Sequence, residues 1–343
     1  MHFGGPERAI TFFLLVLGLS PTIVHSAATP LFDDDTVLEV ELAGPLGALI
    51  SNKKKRAELP FFLLSKGTQH SVKVRVRGKS RLRVCKFPPL RINFEIADTG
   101  DTIFSGQDKL KLVTHCKSSE QAEKNTLEEF AAYRIFNLIS DLSYRVRLLR
   151  ITYTNTDEPG KGKLLQRYAF LIESESQLAD RTGGKPVQVA GLPRRSLGEN
   201  QAAAVFIFQY LIGNTDWSLV TGDDEETCCH NGDLFELGSK LQYVPYDFDL
   251  AGLVDARYAY PHPSLRIRKV TQRLYRGLCL SPEILRNALT TVNARRREIL
   301  DLLRGIPGLS PEDIEAKVEY LERFFVKAED AKGLLRSFGR QCL

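Results

Sequence analysis

Residues Val205–Asp255 read VFIFQYLIGNTDWSLVTGDDEETCCHNGDLFELGSKLQYVPYDFDLAGLVD. An apolar helix pattern runs into Gly213-Asn214-Thr215-Asp216-Trp217, and an acidic loop leads to Cys228-Cys229-His230-Asn231. A short apolar run, Leu241 to Pro245, then delivers Tyr246-Asp247-Phe248-Asp249. Two acidic clusters at the ends of expected elements, with an Asn in the loop between them, form the arrangement a nucleotide–metal site needs. Two unrelated polar loops would look the same, so the rest of the chain decides.

Working outward toward the N-terminus, period-two alternation marks half-buried strands at Thr36 to Leu42, Ser71 to Arg77, Leu90 to Ile96 and Lys109 to Thr114. Leu127, Phe130, Ala131, Arg134, Ile135, Leu138 and Ile139 keep helical spacing, and strands resume at Val146 to Thr154 and Tyr168 to Glu173. Gly, Pro and Arg between Gly183 and Asn200 read as a connection. Beyond it Glu199 to Ile212 is apolar on nearly all sides, which predicts a buried helix. Ser281-Pro282-Glu283 and Ser310-Pro311-Glu312 are helix starts, with Ser as cap and Pro in the first turn.

The expected fold is therefore α+β and two-lobed, like a protein kinase. Residues 29–182 form an antiparallel sheet-rich N-lobe with one helix, and residues 183–343 a mainly helical C-lobe holding the acidic site. The strand at Lys109–Thr114 feeding the helix at Leu127 would set a Lys facing a Glu, the pair that positions nucleotide phosphates in kinases.

The chain has 343 residues, 43% hydrophobic and 26% charged, with a net charge of +5, as in an ordinary folded protein. No aromatic-interleaved or zinc-finger pattern accompanies its basic runs, so no nucleic-acid partner is expected. Arg8, the apolar Ile10 to Leu19 and the small residues Ser26-Ala27-Ala28 read as a cleaved signal peptide over residues 1–28. No later stretch is apolar enough to span a membrane, so a periplasmic or secreted protein is expected. Six cysteines in an oxidising compartment point to disulfides. Cys85–Cys116 is the favoured pair, with Cys228 and Cys229 pairing outward to Cys279 and Cys342. Walker, Gly-x-Ser-x-Gly and His-Glu-x-x-His motifs are absent, as is a GxGxxG turn after a strand.

Arg77-Gly78-Lys79-Ser80, the Leu90–Phe94 strand, Tyr133-Arg134, Tyr168–Glu173, Asn214–Trp217 and Pro245–Asp249 together resemble the spore-coat-protein-H-like (CotH) atypical kinases. The similarity is at the level of motifs and spans residues 70–255. The chain also resembles exported bacterial proteins carrying the same Lys109–Cys116, Cys228–Asn231 and Tyr246–Asp249 strings. The resemblance implies metal-dependent phosphoryl transfer from a nucleotide, ATP with Mg²⁺ or Mn²⁺, to an extracytoplasmic protein or small-molecule hydroxyl.

In that reading Asp216 accepts the hydroxyl proton, as the kinase catalytic-loop Asp does. Asp247 binds the metal with Asn231 and, as an auxiliary ligand, Asp249, because a hard cation prefers oxygen. Lys111 neutralises phosphate charge, held by Glu129 or Glu128, and Arg77-Gly78 lets the backbone approach a phosphate. Such kinases place His after Asp-Trp and an Asn about five residues past the Asp. Here Ser218 follows, and Asn231 lies beyond an insertion with Asp223-Asp224-Glu225-Glu226. The structural alternatives are that Asp216 caps a helix or turn, that the Asp247–Asp249 pair forms a bare turn or a structural Ca²⁺ site, and that Lys86 or Lys109 replaces Lys111. His115 and His230 lack ligand spacing and read as structural, and Trp217 as core. The alternatives are a catalytically inactive kinase-fold binding or envelope module, and a metal-dependent hydrolase.

Overall fold

The computed structural model describes residues 1–2, 31–157, 165–220 and 227–343. The expected signal peptide's apolar stretch and cleavage point lie outside the described residues, as does the acidic run Asp223 to Glu226.

Seven strands close on themselves. They are β1 (Leu38–Gly44), β2 (Leu59–Ser65), β3 (Thr68–Val76), β4 (Leu90–Phe94), β5 (Lys109–Val113), β6 (Val146–Asn155) and β7 (Leu165–Ile172). Their order around the barrel is β1-β2-β3-β4-β5-β7-β6, and β6 returns to β1. Neighbours are antiparallel except at the β1–β6 seam, which is parallel and sets Leu38 opposite Leu149.

This overturns the two-lobed, kinase-like expectation, although the chain is α+β overall. Alternation such as Leu38-Glu39-Val40-Glu41-Leu42 shows that a strand has one buried face, but not what covers that face or which edges meet. Joining β1 to β6 removes the last two free edges, each a row of unpaired N–H and C=O groups.

The barrel interior is filled by Leu38, Val40, Phe61, Val74, Ile92 and Leu112, among others. β6 from Val146 to Leu149 and β7 from Ala169 to Ile172 are buried on both faces. Leu149, Ile151 and Leu171 point into the barrel, while Leu148, Phe170 and Ile172 point out into a second core. That double burial explains why these strands are more continuously apolar than β1 or β3.

Short helices α1 (Leu46–Ser51) and α2 (Arg81–Val84) lie in barrel connections, and α3 (Glu120–Ile139) packs on the outer face of β7. Ser119 caps α3, its hydroxyl accepting from the Ala122 amide. After α4 (Glu175–Thr182), the stretch read as a connection supplies β8 (Lys185–Val187) and leads into α5 (Glu199–Ile212). β8 joins β9 (Gly232–Leu237) and β10 (Lys240–Pro245) in a sheet of order β10-β9-β8. Helices α6 (Pro282–Ala294), α7 (Arg296–Arg304), α8 (Pro311–Glu329) and α9 (Ala331–Gly339) complete the second core with α3 and α5. The expected Ser281 and Ser310 caps are in place.

Cys85 pairs with Cys116 as expected, but Cys228 and Cys229 pair with each other rather than outward. Cys279 pairs with Cys342. The reason is a short backbone ladder in which Leu343 donates to the Gly277 carbonyl and accepts from the Cys279 amide. It sets the Cys279 and Cys342 Cα atoms 5.0 Å apart, leaving no outward partner for the vicinal pair. Among the described residues no helix is long and apolar enough to cross a membrane.

Candidate functional site

α5 stops at Gly213, whose φ of +66° closes the helix in the left-handed region. A Cβ there would lie 2.0 Å from the Tyr320 hydroxyl oxygen, so only glycine fits both the angle and the space. The next turn is fixed by Asn214. Its Oδ1 accepts from the Asp216 amide at 2.9 Å, and its carbonyl accepts from the Trp217 indole at 3.1 Å. Asp216 is thereby held at the helix end with a 37% exposed side chain.

Ser218 and His230 exchange backbone hydrogen bonds, joining the chain on either side of the acidic insertion. Asn231 Nδ2 then donates to Asp216 Oδ2 at 2.9 Å and to its carbonyl at 2.7 Å. His230 Nε2 lies 3.2 Å from Asp216 Oδ1. The distant Asn thus reaches Asp216.

The β9–β10 hairpin carries this group to Asp247. Its register pairs Gly232 with Pro245, and the Tyr246 amide donates to the Asn231 carbonyl at 3.1 Å. Asn231 and Asp247 both have positive φ, 52° and 60°. Such angles are uncommon for non-glycine residues, and Asn and Asp tolerate them best. The Asp247 amide donates to the Tyr133 hydroxyl on α3 at 2.9 Å, which pins the turn.

Arg81, at the start of α2, joins three carboxylates. Its Nε donates to Asp249 Oδ2 at 2.8 Å, and its Nη2 to Glu129 Oε2 at 2.7 Å and Asp247 Oδ1 at 3.0 Å. One guanidinium cannot neutralise three carboxylates, and burial pushes both Glu129 and Asp249 above the ordinary carboxyl range. Asp249 also accepts from the Tyr258 hydroxyl and is buried, so of the expected metal trio it is committed to the protein. Asp247 is 39% exposed, and Asn231 spends its amide nitrogen on Asp216, leaving its oxygen for a cation. Two protein oxygens suit Mg²⁺, which keeps several waters and takes phosphate oxygens. Among the described residues, no group of three or more His, Cys, Asp or Glu could hold a metal.

A cleft opens beside Asp247, lined by Arg77, Gly78, Lys79, Lys111, Glu129 and Tyr246 among others. Gly78 has φ +93° and nothing crowds its Cα, so conformation rather than space demands glycine there. Lys111 reaches this cleft without its expected partner. Its Nζ is 3.4 Å from Glu175 Oε1 and lies over the Tyr144 and Tyr246 rings, while Glu129 belongs to Arg81. Arg81 and Glu129 also border a second cavity, toward Arg257 and Tyr258.

Glu128, the neighbour on α3, is bound instead to Lys317 on α8 at 3.0 Å and to Asn125. Burial raises its carboxyl from 4.5 to about 7 against the pull of Lys317. The folded chain therefore holds this proton more tightly than the unfolded chain does, a contribution complete below 4.5 and lost as pH rises through about 7. Glu128→Gln should flatten the fall in unfolding free energy across that window by up to about 3 kcal/mol. Urea titrations of both proteins at several pH values check it, and parallel curves would refute the assignment.

The structure brings Asp216 to Asn231 and sets Arg77, Gly78, Lys111, Glu129 and Asp247 around one cleft. It does not join Lys111 to either α3 glutamate, and it seals Asp249 away. The functional residues the sequence does not single out are Arg81, one of several cations between Arg75 and Arg83, and His230, which reads as structural. Asp247 and Asp249 at the end of the Leu241–Pro245 run were the available signal for Arg81, since carboxylates buried together require a cation.

No family model matches the sequence, and no curated protein matches it. Among solved structures, the chain is similar to the crystal structure of a Helicobacter pylori proinflammatory kinase, CtkA. Identity is 11% and the TM-score 0.37, over 79% of this chain and 92% of that one. A likeness this loose transfers no residue assignment.

Proposed function

We propose that the protein is an exported, metal-dependent phosphotransferase that moves a phosphoryl group from a nucleotide, ATP in the simplest case, to a hydroxyl acceptor. The observation that carries this reading is the Asp216–Asn231–Tyr246–Asp247 connection, which links a half-exposed carboxylate to the mouth of a cationic cleft. Lys111 and Arg77 offset phosphate charge in the cleft, and the Gly78 backbone allows close approach. A divalent cation held by Asp247 and Asn231 would supply further neutralisation of phosphate charge. Asp216 takes the acceptor's proton as its oxygen attacks, oriented by Asn231 and His230. Three disulfides support an oxidising compartment.

Arg81 on Asp247 favours a second reading, a nucleotide-binding module without transfer. Thermal unfolding with ATP and Mg²⁺ or Mn²⁺ tests what both share. At a hundredfold excess over Kd, binding adds about 2.7 kcal/mol of stability. Asp247→Ala should abolish the metal-dependent part of that shift. No shift with any nucleotide and either metal would end both readings, and a shift without labelled phosphate transfer would leave the module.

A further inference from the structure

Between Asp255 and Glu283 the chain contains no acidic residue but six cations: Arg257, Arg266, Arg268, Lys269, Arg273 and Arg276. Two of these are structural. Arg273 donates to the Leu211 and Tyr320 carbonyls, and Arg276 to those of Thr215 and Trp217. The other four are exposed and make no ion pair among the described residues.

The segment is anchored to the site at both ends. Tyr258 donates to Asp249, and Arg257 and Tyr258 border the second cavity. At the other end, Val270 is buried, and its carbonyl lies 2.6 Å from where a Gly252 Cβ would sit. The Gly252 amide in turn donates to Gly213, three residues before Asp216. Arg276 then holds the backbone on either side of Asp216. The four free cations and Tyr260, 77% exposed, lie on the excursion between these anchors.

We infer that residues 257–269 form a docking surface for an acidic polypeptide, whose acceptor hydroxyl it delivers to Asp216. The inference rests on the phosphotransferase reading for the hydroxyl, but the surface itself stands on charge. Cations with no internal partner contribute little to folding and are available to an external anion. The segment turns at Arg257-Tyr258 and Pro263-Ser264 and contains neither helix nor strand. A narrow loop that starts and ends at the site suits a single flexible chain rather than a broad surface. A membrane needs a broad basic face, and a nucleic acid an array of phosphate contacts.

The test is fluorescence anisotropy on the full chain, with a labelled glutamate-rich peptide carrying one serine and its glutamine counterpart. A single-stranded oligonucleotide and phosphatidylcholine–phosphatidylserine vesicles serve as rival probes. The glutamate peptide should bind roughly tenfold or more tightly than the glutamine one, and weaken with salt. Arg257→Gln/Arg266→Gln/Arg268→Gln/Lys269→Gln should lose that preference, and Arg266→Gln/Arg268→Gln part of it. Thermal protection by ATP should survive in both variants. Equal peptide affinity in the quadruple variant overturns the inference, as does tighter binding of oligonucleotide or vesicles. Peptide binding without nucleotide protection keeps the surface and sinks the phosphotransferase. Nucleotide protection without peptide binding does the reverse.

Discussion

Asp216→Asn will slow phosphoryl transfer by roughly 10²–10⁴-fold, the typical contribution of a positioned general base. The substitution keeps shape and one acceptor oxygen, so the contact with Asn231 Nδ2 and the turn set by Asn214 survive. It removes the charge that faces His230 and the group that accepts the proton. Asp216 does not line the cleft beside Asp247, so protection by ATP should be unchanged while turnover collapses. Single-turnover transfer of labelled phosphate, beside a thermal shift on the same sample, separates the two effects. A variant within about tenfold of the parent would place the base elsewhere.

The second large effect concerns stability. Arg81→Met leaves Glu129 and Asp249 buried with no cation, and breaking a buried pair this way costs about 3–5 kcal/mol. The loss should depend on pH in a definite direction. Without the guanidinium, both carboxyls rise further above their unfolded values. Their proton-linked stability is then complete at low pH and fades as pH increases. The deficit against the parent should therefore be smaller at pH 5 than at pH 8 in urea titrations. Arg81→Lys keeps the charge but cannot reach three carboxylates with a planar fork, so it should fall between. A deficit equal at both pH values would make Arg81 a packing residue.

Much of this was legible locally. Alternation located β1, β3, β4 and β5, helical spacing located α3, and the Ser-Pro pairs located the starts of α6 and α8. Each signal is a property of neighbouring residues. What escaped depends on partners far along the chain. The β1–β6 seam is a choice of edges, and alternation carries no information about edges. Arg81 sits in a run of arginines, and only the fold separates the one that is buried from those that are solvated. The same holds for Lys111, whose strand was found but whose partner, Glu175, comes from α4. Asn231 was singled out because it is the first Asn downstream of Asp216. The Ser218–His230 pairing that brings it there spans an insertion no periodicity describes.

The seam has a kinetic consequence. β1 is made first, yet its parallel partner lies about 110 residues downstream, and contacts so distant in sequence are slow to form. The meander of β2, β3, β4 and β5 can assemble from adjacent segments. The ring cannot shut until α3 has been laid down and β6 delivered behind it. Until then the first strand keeps one edge open to other chains. Substitutions at the seam should therefore act on how fast the chain folds, whereas the Arg81 junction governs how long it stays folded.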